Sequence, residues 1–480
     1  MASEAAARRR RHHALAVPLP GQGHVNPLMR FCKKLAEQEG FTITFVHITG
    51  AYFNFQRQEL DGKQKDGEDE GVMRLDIRRT HVDMPDPSEL GSLDVGAGPI
   101  QCGFAALGSI SPQIEQLLLQ PHDPPITCLI SDVFLTGPTQ SVADKFNLPR
   151  IAFYTCSQSL LLLANYIREG VMSLEDVLKA LEARERLKDN IFKEGLPGLP
   201  TIKVCDLMEH FQENRFLYTN GFQVMQETTS KARAIAINTF TEIEEDALQV
   251  DTGIPIYAIG PLVEPLENEL NTSLLKEDEA CMVWLDSQPC SSVLFVSFGS
   301  FAPVSLPQFE EFIAGFLSSK QRILWVFRPN LVKDAPFTTF PEEVLSKFHG
   351  RAYVTNWVPQ VKVLSHPSVG GFLTHCGWNS TLEAISHGVP MLCFPYIGDQ
   401  FLNAKFIIEE WKVGLGFKEN KESGLIGREE ITRVIQTLLE TEEGECLHHK
   451  ADSFRNACAR SYLPTGGAFN NIQAIVSALE

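Results

Sequence analysis

Long apolar runs and basic residues are the two things this sequence has little of. No stretch of about 18 apolar residues occurs, which is the length that a membrane-spanning helix needs. The chain has 42 Lys and Arg against 60 Asp and Glu, for a formal net charge of −18. General binding to nucleic acid or to an anionic membrane surface needs a basic footprint. The sequence therefore predicts a protein with no nucleic-acid partner and no stable membrane insertion.

Paired cysteines and a secretion signal are also missing. The eleven cysteines are odd in number, spread along the chain and without a CxxC pair. This pattern favours buried thiols in a reducing compartment over a disulfide framework. The apolar stretch Ala14–Pro20 is short and interrupted by two prolines, so it predicts a first strand rather than a signal peptide. We expect a cytoplasmic protein.

Metal and nucleotide-cofactor motifs are absent as well. There is no HExxH and no carboxylate cluster at ligand spacing. There is no Walker A motif, and Gly21-x-Gly23 lacks the third glycine of GxGxxG because Asn26 stands there. We therefore expect neither a metal nor a bound cofactor.

Short apolar runs alternate with helical patterns, and this rhythm occurs twice. The runs are continuously apolar, which is typical of strands in a parallel sheet covered on both faces. Such a βαβα rhythm predicts doubly wound α/β domains. A stretch rich in Gly and Pro, Asp251–Leu270, separates the two halves. The predicted strands are Ala14–Leu19, Phe41–Ile48, Ile126–Ser131, Arg150–Tyr154 and Ala234–Asn238, then Val293–Phe298, Ile323–Arg328, Arg351–Asn356, Gly371–His375 and Met391–Phe394.

Two segments have loop composition. Residues 61–71 are charged and contain glycine, and residues 83–100 are rich in Pro, Gly and Ser. Both are predicted to be solvated surface or, alternatively, to overhang a substrate pocket.

Polar residues directly after the strands are the candidates for chemistry, because ligands of open α/β sheets bind at the carboxyl ends of strands. In the first half, His24 and Asp132 follow two such strands. A histidine oriented by a carboxylate can act as a general base. The alternative is a histidine that simply satisfies a glycine-rich loop.

In the second half, a helix begins immediately after the Gly371–His375 strand. Ser380 and Glu383 fit a capping box that opens this helix at Thr381–His387. Its free N–H groups would form an anion site, to which His375 and Ser300 can add donors. The geometry suits a diphosphate, and Glu383 is either a capping residue or a ligand-binding one.

A long segment closely resembles a known signature. Residues Trp357–Gln400 read WVPQVKVLSHPSVGGFLTHCGWNSTLEAISHGVPMLCFPYIGDQ. This is similar to the signature box of plant secondary-product UDP-glycosyltransferases (family 1, inverting). Supporting pieces lie in the same order as in that family, at Gly23–Pro27, Ser131-Asp132, Asn238–Phe240, Ile259–Leu262, Trp284–Asp286 and Ser297–Ser300.

The resemblance implies the GT-B fold, in which two Rossmann-like domains face each other across a cleft. It places an acceptor-binding domain at residues 1–255, with residues 1–12 expected to be disordered. A UDP-sugar-binding domain is expected at 256–455, and a C-terminal helix at 456–480 that packs back on the first domain.

The resemblance also implies roles for individual residues. His24 is the expected general base and Asp132 its partner. The residues expected to bind the donor are Trp357, Val358 and Gln360 at the uracil, Glu383 at the ribose, Ser300, His375, Gly377, Asn379 and Ser380 at the phosphates, and Trp378, Asp399 and Gln400 at the sugar. Thr155 is a further candidate at the sugar.

The implied activity is metal-independent transfer of a hexose from a UDP-sugar to a small acceptor, with inversion. Gln400 at the end of the box favours UDP-glucose, with UDP-xylose as the alternative. A flavonoid, another phenolic or a terpenoid would suit an apolar pocket, and a monomer is expected. The candidate pocket residues, for each of which the alternative is a place in the core, are Phe104, Phe134, Leu135, Leu160, Met208 and Phe211. The rival functions are a non-catalytic nucleotide-sugar-binding protein and a transferase acting on a lipid or glycan.

Overall fold

A computed structural model describes most of the chain. The described residues are 12–49, 75–84, 106–182, 190–207, 231–263, 277–300, 303–329, 331–333, 335, 337–420 and 422–479. The loop segment 61–71, most of the segment 83–100, and the pocket candidates Phe104, Met208 and Phe211 lie outside these residues.

The described residues form strands and helices in alternation. The strands are β1 (His12–Val17), β2 (Phe41–Thr49), β3 (Ile77–Asp83), β4 (Cys128–Asp132), β5 (Arg150–Tyr154), β6 (Ile191–Lys193), β7 (Ile202–Lys203), β8 (Ala234–Ile237), β9 (Ile256–Ala258), β10 (Val293–Ser297), β11 (Val304–Ser305), β12 (Arg322–Val326), β13 (Val332–Lys333), β14 (Ala352–Thr355), β15 (Val369–Thr374), β16 (Met391–Cys393) and β17 (Gly414–Gly416). The helices are α1 (Gln22–Ala36), α2 (Ser111–Leu119), α3 (Thr136–Phe146), α4 (Gln158–Arg168), α5 (Leu174–Glu182), α6 (Thr241–Leu248), α7 (Ala280–Asp286), α8 (Leu306–Ser319), α9 (Glu342–Ser346), α10 (Gln360–Ser365), α11 (Trp378–His387), α12 (Gln400–Lys405), α13 (Arg428–Glu440), α14 (Glu442–Ser461) and α15 (Gly467–Ala478).

The first sheet has seven parallel strands in the order β3-β2-β1-β4-β5-β8-β9. Strands β1, β4 and β5 are buried along their whole length, as expected for a sheet covered on both faces. The chain order reverses between β1 and β4, which makes that pair the switch point where ligands of this architecture bind. The sheet is Rossmann-like.

The second sheet repeats the same winding. Its six parallel strands have the order β14-β12-β10-β15-β16-β17, so its switch point lies between β10 and β15. An apolar core that includes Phe298, Phe312 and Trp325 packs on this sheet. Two Rossmann-like α/β domains were predicted from the sequence, and this prediction is confirmed.

The domain boundaries differ from the predicted ones. The first compact unit contains Met1–Ser173, Asn214–Leu262 and Tyr462–Glu480, and the second contains Leu174–Glu213 and Val263–Ser461. The break thus falls after Leu262 instead of after residue 255. Helix α14 runs to Ser461, so residues 456–461 belong to the second unit, while α15 belongs to the first and contacts β9 and α1.

Residues Leu174–Glu213 are the main departure from prediction, because they were assigned to the first domain. Ion pairs hold them in the second: Lys405 Nζ lies 3.4 Å from Asp206, and Lys203 Nζ donates to Glu409 at 2.9 Å. Lys405 is only 5% exposed, so its charge needs a partner such as Asp206.

The expectation of disorder through residue 12 is wrong at its last residue. His12 is the first residue of β1, where it is buried and stacks on Phe41. Elsewhere, no helix among the described residues combines the length and apolar character that a membrane crossing requires.

Candidate functional site

The switch point of the first sheet brings His24 and Asp132 together. His24 lies in the first turn of α1, directly after β1, and Asp132 is the last residue of β4. The strands that carry them are neighbours, with Val17 in register with Ser131. His24 is therefore not in a glycine-rich loop, because the helix starts at Gln22 and continues through Pro27. Pro27 removes one hydrogen bond near the helix start, which the rest of the helix tolerates.

The two side chains form a close, asymmetric pair. His24 Nδ1 lies 2.7 Å from Asp132 Oδ2. Asp132 is 1% exposed whereas His24 is 22% exposed, so the carboxylate is enclosed and the imidazole reaches the surface. The other carboxylate oxygen accepts a hydrogen bond of 3.0 Å from the Phe134 backbone N–H, which fixes its orientation. A carboxylate held in this way keeps the Nδ1–H tautomer and leaves Nε2 as the basic atom.

Two further residues surround this pair. The Thr155 hydroxyl lies 3.3 Å from His24 Nδ1. Because Nδ1 carries a single hydrogen and Asp132 is closer, we assign the hydrogen bond that Nδ1–H donates to the Asp132 carboxylate. The Phe134 ring packs edge-on against the imidazole at 5.8 Å. Phe134 and Leu160 are half-buried, as a pocket wall requires, whereas Leu135 is fully buried in the core and is not a pocket residue.

At the switch point of the second sheet, two glycines lie close to the side chain of His375. Gly299 follows β10 and Gly377 follows β15, and both backbones touch the imidazole. A Cβ at Gly299 or at Gly377 would lie 2.6 or 2.5 Å from ring atoms of His375, so neither position has room for a side chain. Cys376, which stands between His375 and Gly377 in the chain, has a left-handed φ of 62°. The two glycines therefore enclose the ring of His375, which stands three residues before the start of α11.

The imidazole of His375 is neutral at physiological pH. Burial, and to a smaller extent the nearby Arg328 guanidinium, lowers its pKa to about 4. His375 can thus donate a hydrogen bond but carries no charge of its own in this state.

The helix after this turn starts earlier than predicted. Gly377 is the N-cap of α11, in extended conformation, and no side chain caps the helix. The capping box of Ser380 and Glu383 is therefore wrong, because both residues lie inside the helix. Their side chains instead accept hydrogen bonds from Gln360 Nε2, at 3.0 Å to Ser380 Oγ and 2.8 Å to Glu383 Oε2.

Comparison with known proteins decides the family. Residues 271–435 match the family model described as UDP-glucoronosyl and UDP-glucosyl transferase. UDP-glycosyltransferase 85A7 of Arabidopsis thaliana is 32% identical over 97% of this chain and 96% of its own length. The 7-deoxyloganetin glucosyltransferase of Gardenia jasminoides is 33% identical over 98% of both chains. The chain belongs to the plant family 1 UDP-glycosyltransferases. It is therefore a transferase.

Solved structures agree with the fold of this glycosyltransferase. Phytolacca americana UGT2, complexed with UDP-2fluoro-glucose and pterostilbene, aligns with a TM-score of 0.79 at 27% identity, over 98% of this chain and 99% of the other. A UDP-glucosyltransferase from Polygonum tinctorium aligns with a TM-score of 0.79 at 28% identity, over 98% of both chains. The fold is GT-B, as predicted.

The other residues predicted to bind the donor follow strands β14, β15 and β16 of the second sheet. Trp357 is half-buried and its carbonyl accepts a hydrogen bond from the Asp278 backbone, while Val358 is buried. The Trp378 indole is 3% exposed and packs on Trp411, so this side chain is a core element of the domain. Asn379 lies in the first turn of α11.

The end of the box forms a rigid turn. Gln400 Oε1 accepts hydrogen bonds from the backbone of Tyr396 and Ile397, at 2.8 and 2.9 Å. With its oxygen engaged in this way, the Gln400 side chain has a fixed direction. Asp399 is the residue before α12, and its carboxylate accepts a hydrogen bond from Asn403.

Two residues that contact the predicted donor-binding segments were not predicted from the sequence. Arg328 follows β12, and its Nε donates to the Gly299 carbonyl at 2.9 Å. Burial lowers the pKa of Arg328, which nevertheless keeps its charge at neutral pH. The strand-end rule would have found Arg328 had it been applied to this strand. Asn403 lies beyond the signature box and gives no comparable signal in the sequence.

In the part of the chain that the structure describes, no group of three or more His, Cys, Asp and Glu side chains is placed to hold a metal ion.

Proposed function

We propose that this glycosyltransferase moves glucose from UDP-glucose to a hydroxyl of a small lipophilic acceptor, with inversion to a β-glucoside. The observation that carries the proposal is the 2.7 Å contact between His24 Nδ1 and the enclosed carboxylate of Asp132. A protein that only bound a nucleotide sugar would have no need of an oriented base.

In the proposed reaction, His24 Nε2 takes the proton of the acceptor hydroxyl. The hydroxyl oxygen forms a bond to the anomeric carbon as the bond between that carbon and UDP breaks. The electron pair of the broken bond leaves on the β-phosphate. Asp132 stabilises the imidazolium that forms, which is the usual role of a carboxylate behind a catalytic histidine.

The negative charge that grows on the β-phosphate needs stabilisation. The start of α11 supplies backbone N–H groups and the positive end of a helix dipole. Ser300, Asn379 and Ser380 can add hydrogen bonds, and neutral His375 can add one more. Together these donors form the phosphate-binding part of the proposal.

Gln400 and Asp399 are the proposed sugar contacts, and the proposed sugar is glucose. Two relatives are named 7-deoxyloganetin glucosyltransferase, and one related structure is a complex with UDP-2fluoro-glucose. These names support a glucose donor, with UDP-xylose as the alternative that the sequence left open.

The acceptor is proposed to be a phenolic or terpenoid compound bound near His24. Half-buried Phe134 packs against His24, and half-buried Leu160 lies in α4, the helix that follows β5, so both can provide apolar contact area. A small acceptor is supported by three relatives: one complexed with pterostilbene, one described as capable of glucosylating indoxyl, and one named 7-deoxyloganetin glucosyltransferase.

The test is incubation of the purified protein with UDP-glucose and a mixed panel of flavonoids, other phenolics and terpenoids, followed by mass spectrometry. We expect UDP release and a hexose mass gain on at least one compound. Tight UDP-glucose binding without either product would favour a non-catalytic binding protein. Transfer only to added lipid or glycan would favour the other rival. Monomeric state and location in the cytosol stay predictions of the sequence, for light scattering and cell fractionation to test.

A further inference from the structure

Asn403 lies in α12, less than one helical turn after Gln400, and joins two parts of the donor site. Its side chain is 0% exposed. Nδ2 lies 2.9 Å from the carbonyl oxygen of Cys376 and 2.8 Å from Oδ2 of Asp399. The first contact reaches the turn before α11, and the second reaches the proposed sugar-binding carboxylate.

The direction of this amide is fixed by its partners. A backbone carbonyl and a carboxylate both accept hydrogen bonds, so the group facing them must be the NH₂. Both of its hydrogens are engaged, one with each partner. Asn403 therefore acts as a two-pronged donor between Cys376 and Asp399.

The amide is not explained by packing alone. Asn403 is fully buried, and burying an amide costs free energy unless its polar atoms are hydrogen-bonded. Asn403 Oδ1 is buried without a hydrogen-bond partner among the described residues, which is unfavourable. An amide at this position is therefore accounted for by its two donated hydrogen bonds.

The Cys376 carbonyl belongs to a conformationally constrained turn. Cys376 has a left-handed φ of 62°, and the next residue, Gly377, caps α11. A hydrogen bond to this carbonyl fixes the turn from which the phosphate-facing helix starts. The same amide fixes Asp399, so the two groups keep a constant separation.

We propose that Asn403 is a positioning residue that holds the Asp399 carboxylate in register with the Cys376–Gly377 turn, so that the sugar and the diphosphate of one donor molecule are bound together. This inference rests on the proposed donor-site function. It assigns a role to a residue outside the signature box.

The test compares UDP with UDP-glucose, since only the latter presents a sugar to Asp399. Dissociation constants are measured by calorimetry, without acceptor or turnover, for the wild type, Asn403→Leu, Asp399→Ala and the double variant. Asn471→Leu is the matched control, because Asn471 donates an equally short amide hydrogen bond, 2.8 Å, to the Ala258 carbonyl in the first domain.

We expect Asn403→Leu to raise the ratio of the UDP-glucose constant to the UDP constant roughly 10-fold, as loss of a hydrogen bond to a charged group should. Asp399→Ala should raise it comparably, and the double variant should be no worse than the poorer single variant. The control should leave both constants unchanged. An unchanged ratio in folded Asn403→Leu, or multiplying effects in the double variant, would overturn the inference. A wild type that binds neither ligand would instead overturn the proposed function.

Asn403→Asp keeps the shape of the side chain and gives a second readout. Two carboxyl groups this close share a proton, and the protonated form can donate to Asp399 again. The UDP-glucose to UDP ratio of this variant should recover as the pH falls from about 8 to about 5.5, unlike that of Asn403→Leu. A ratio that does not change with pH would count against a positioning role.

Discussion

Gln360 Nε2 donates a hydrogen bond of 2.8 Å to Oε2 of Glu383, joining α10 to the second turn of α11. Both residues belong to the proposed nucleoside site. This hydrogen bond fixes the direction of the Glu383 carboxylate, which does not cap α11.

Glu383→Gln should therefore weaken UDP binding by roughly 10- to 100-fold, because a hydrogen bond from a ribose hydroxyl to a charged group contributes about 1.5–3 kcal/mol. Calorimetric titration with UDP measures the change. Glu311→Gln is the control, since Glu311 pairs with Arg428 and lies outside the site. Equal UDP affinity in wild type and Glu383→Gln would refute the ribose assignment.

His24→Ala should lower kcat roughly 10²–10⁴-fold, the usual scale for loss of a general base, while the UDP dissociation constant stays unchanged. Asp132→Asn should lower kcat less, because the imidazole remains but loses the charge behind it. Initial rates with the best acceptor from the panel provide the measurement. Near-normal turnover of His24→Ala would rule out His24 as the base.

The pH dependence of stability should carry a signature of His375. Its pKa is lowered to about 4 in the folded state, below the ordinary value of 6.5, so the unfolded chain binds more protons between these limits. The contribution of His375 to the free energy of unfolding is fully present above about pH 6.5. It is lost as the pH falls towards 4, by about 2 kcal/mol between pH 7 and pH 5. Urea unfolding of ligand-free protein at both pH values measures it. His375→Asn should show a correspondingly smaller loss, and an identical loss would argue against the lowered pKa.

Activity should be unchanged by EDTA, because the proposed stabilisation of the leaving phosphate uses protein donors throughout. Rates after prolonged treatment with EDTA and after addition of Mg²⁺ or Mn²⁺ test this. Strong inhibition by the chelator, reversed by one of the ions, would contradict the metal-independent mechanism.

Much of the fold could be predicted because its signals are local. The strands are unbroken apolar runs, so the predicted Arg150–Tyr154 coincides with β5, and the predicted Phe41–Ile48 differs from β2 by one residue. Gly and Pro mark the turns, and the signature box fixes the order of strands and helices in the second domain. These features depend on neighbouring residues only.

Other features could not be predicted because distant parts of the chain decide them. The Ser380–Glu383 spacing fits a capping box, yet the turn at Cys376 and Gly377 starts α11 earlier. Asn403 and Asp206 acquire their roles from partners elsewhere in the chain. No periodicity in the sequence reveals such pairings.

The two domains are interleaved along the chain, with consequences for biosynthesis. Residues Leu174–Glu213 leave the ribosome before the segment Val263–Ser461 with which they pack, and the first domain ends with Tyr462–Glu480. The early segment cannot form its contacts, such as that between Asp206 and Lys405, until the later segment has been translated, and helix α15 is translated after both. The second unit therefore has all its segments only after Ser461 has been translated, and the first only after Tyr462–Glu480 has followed.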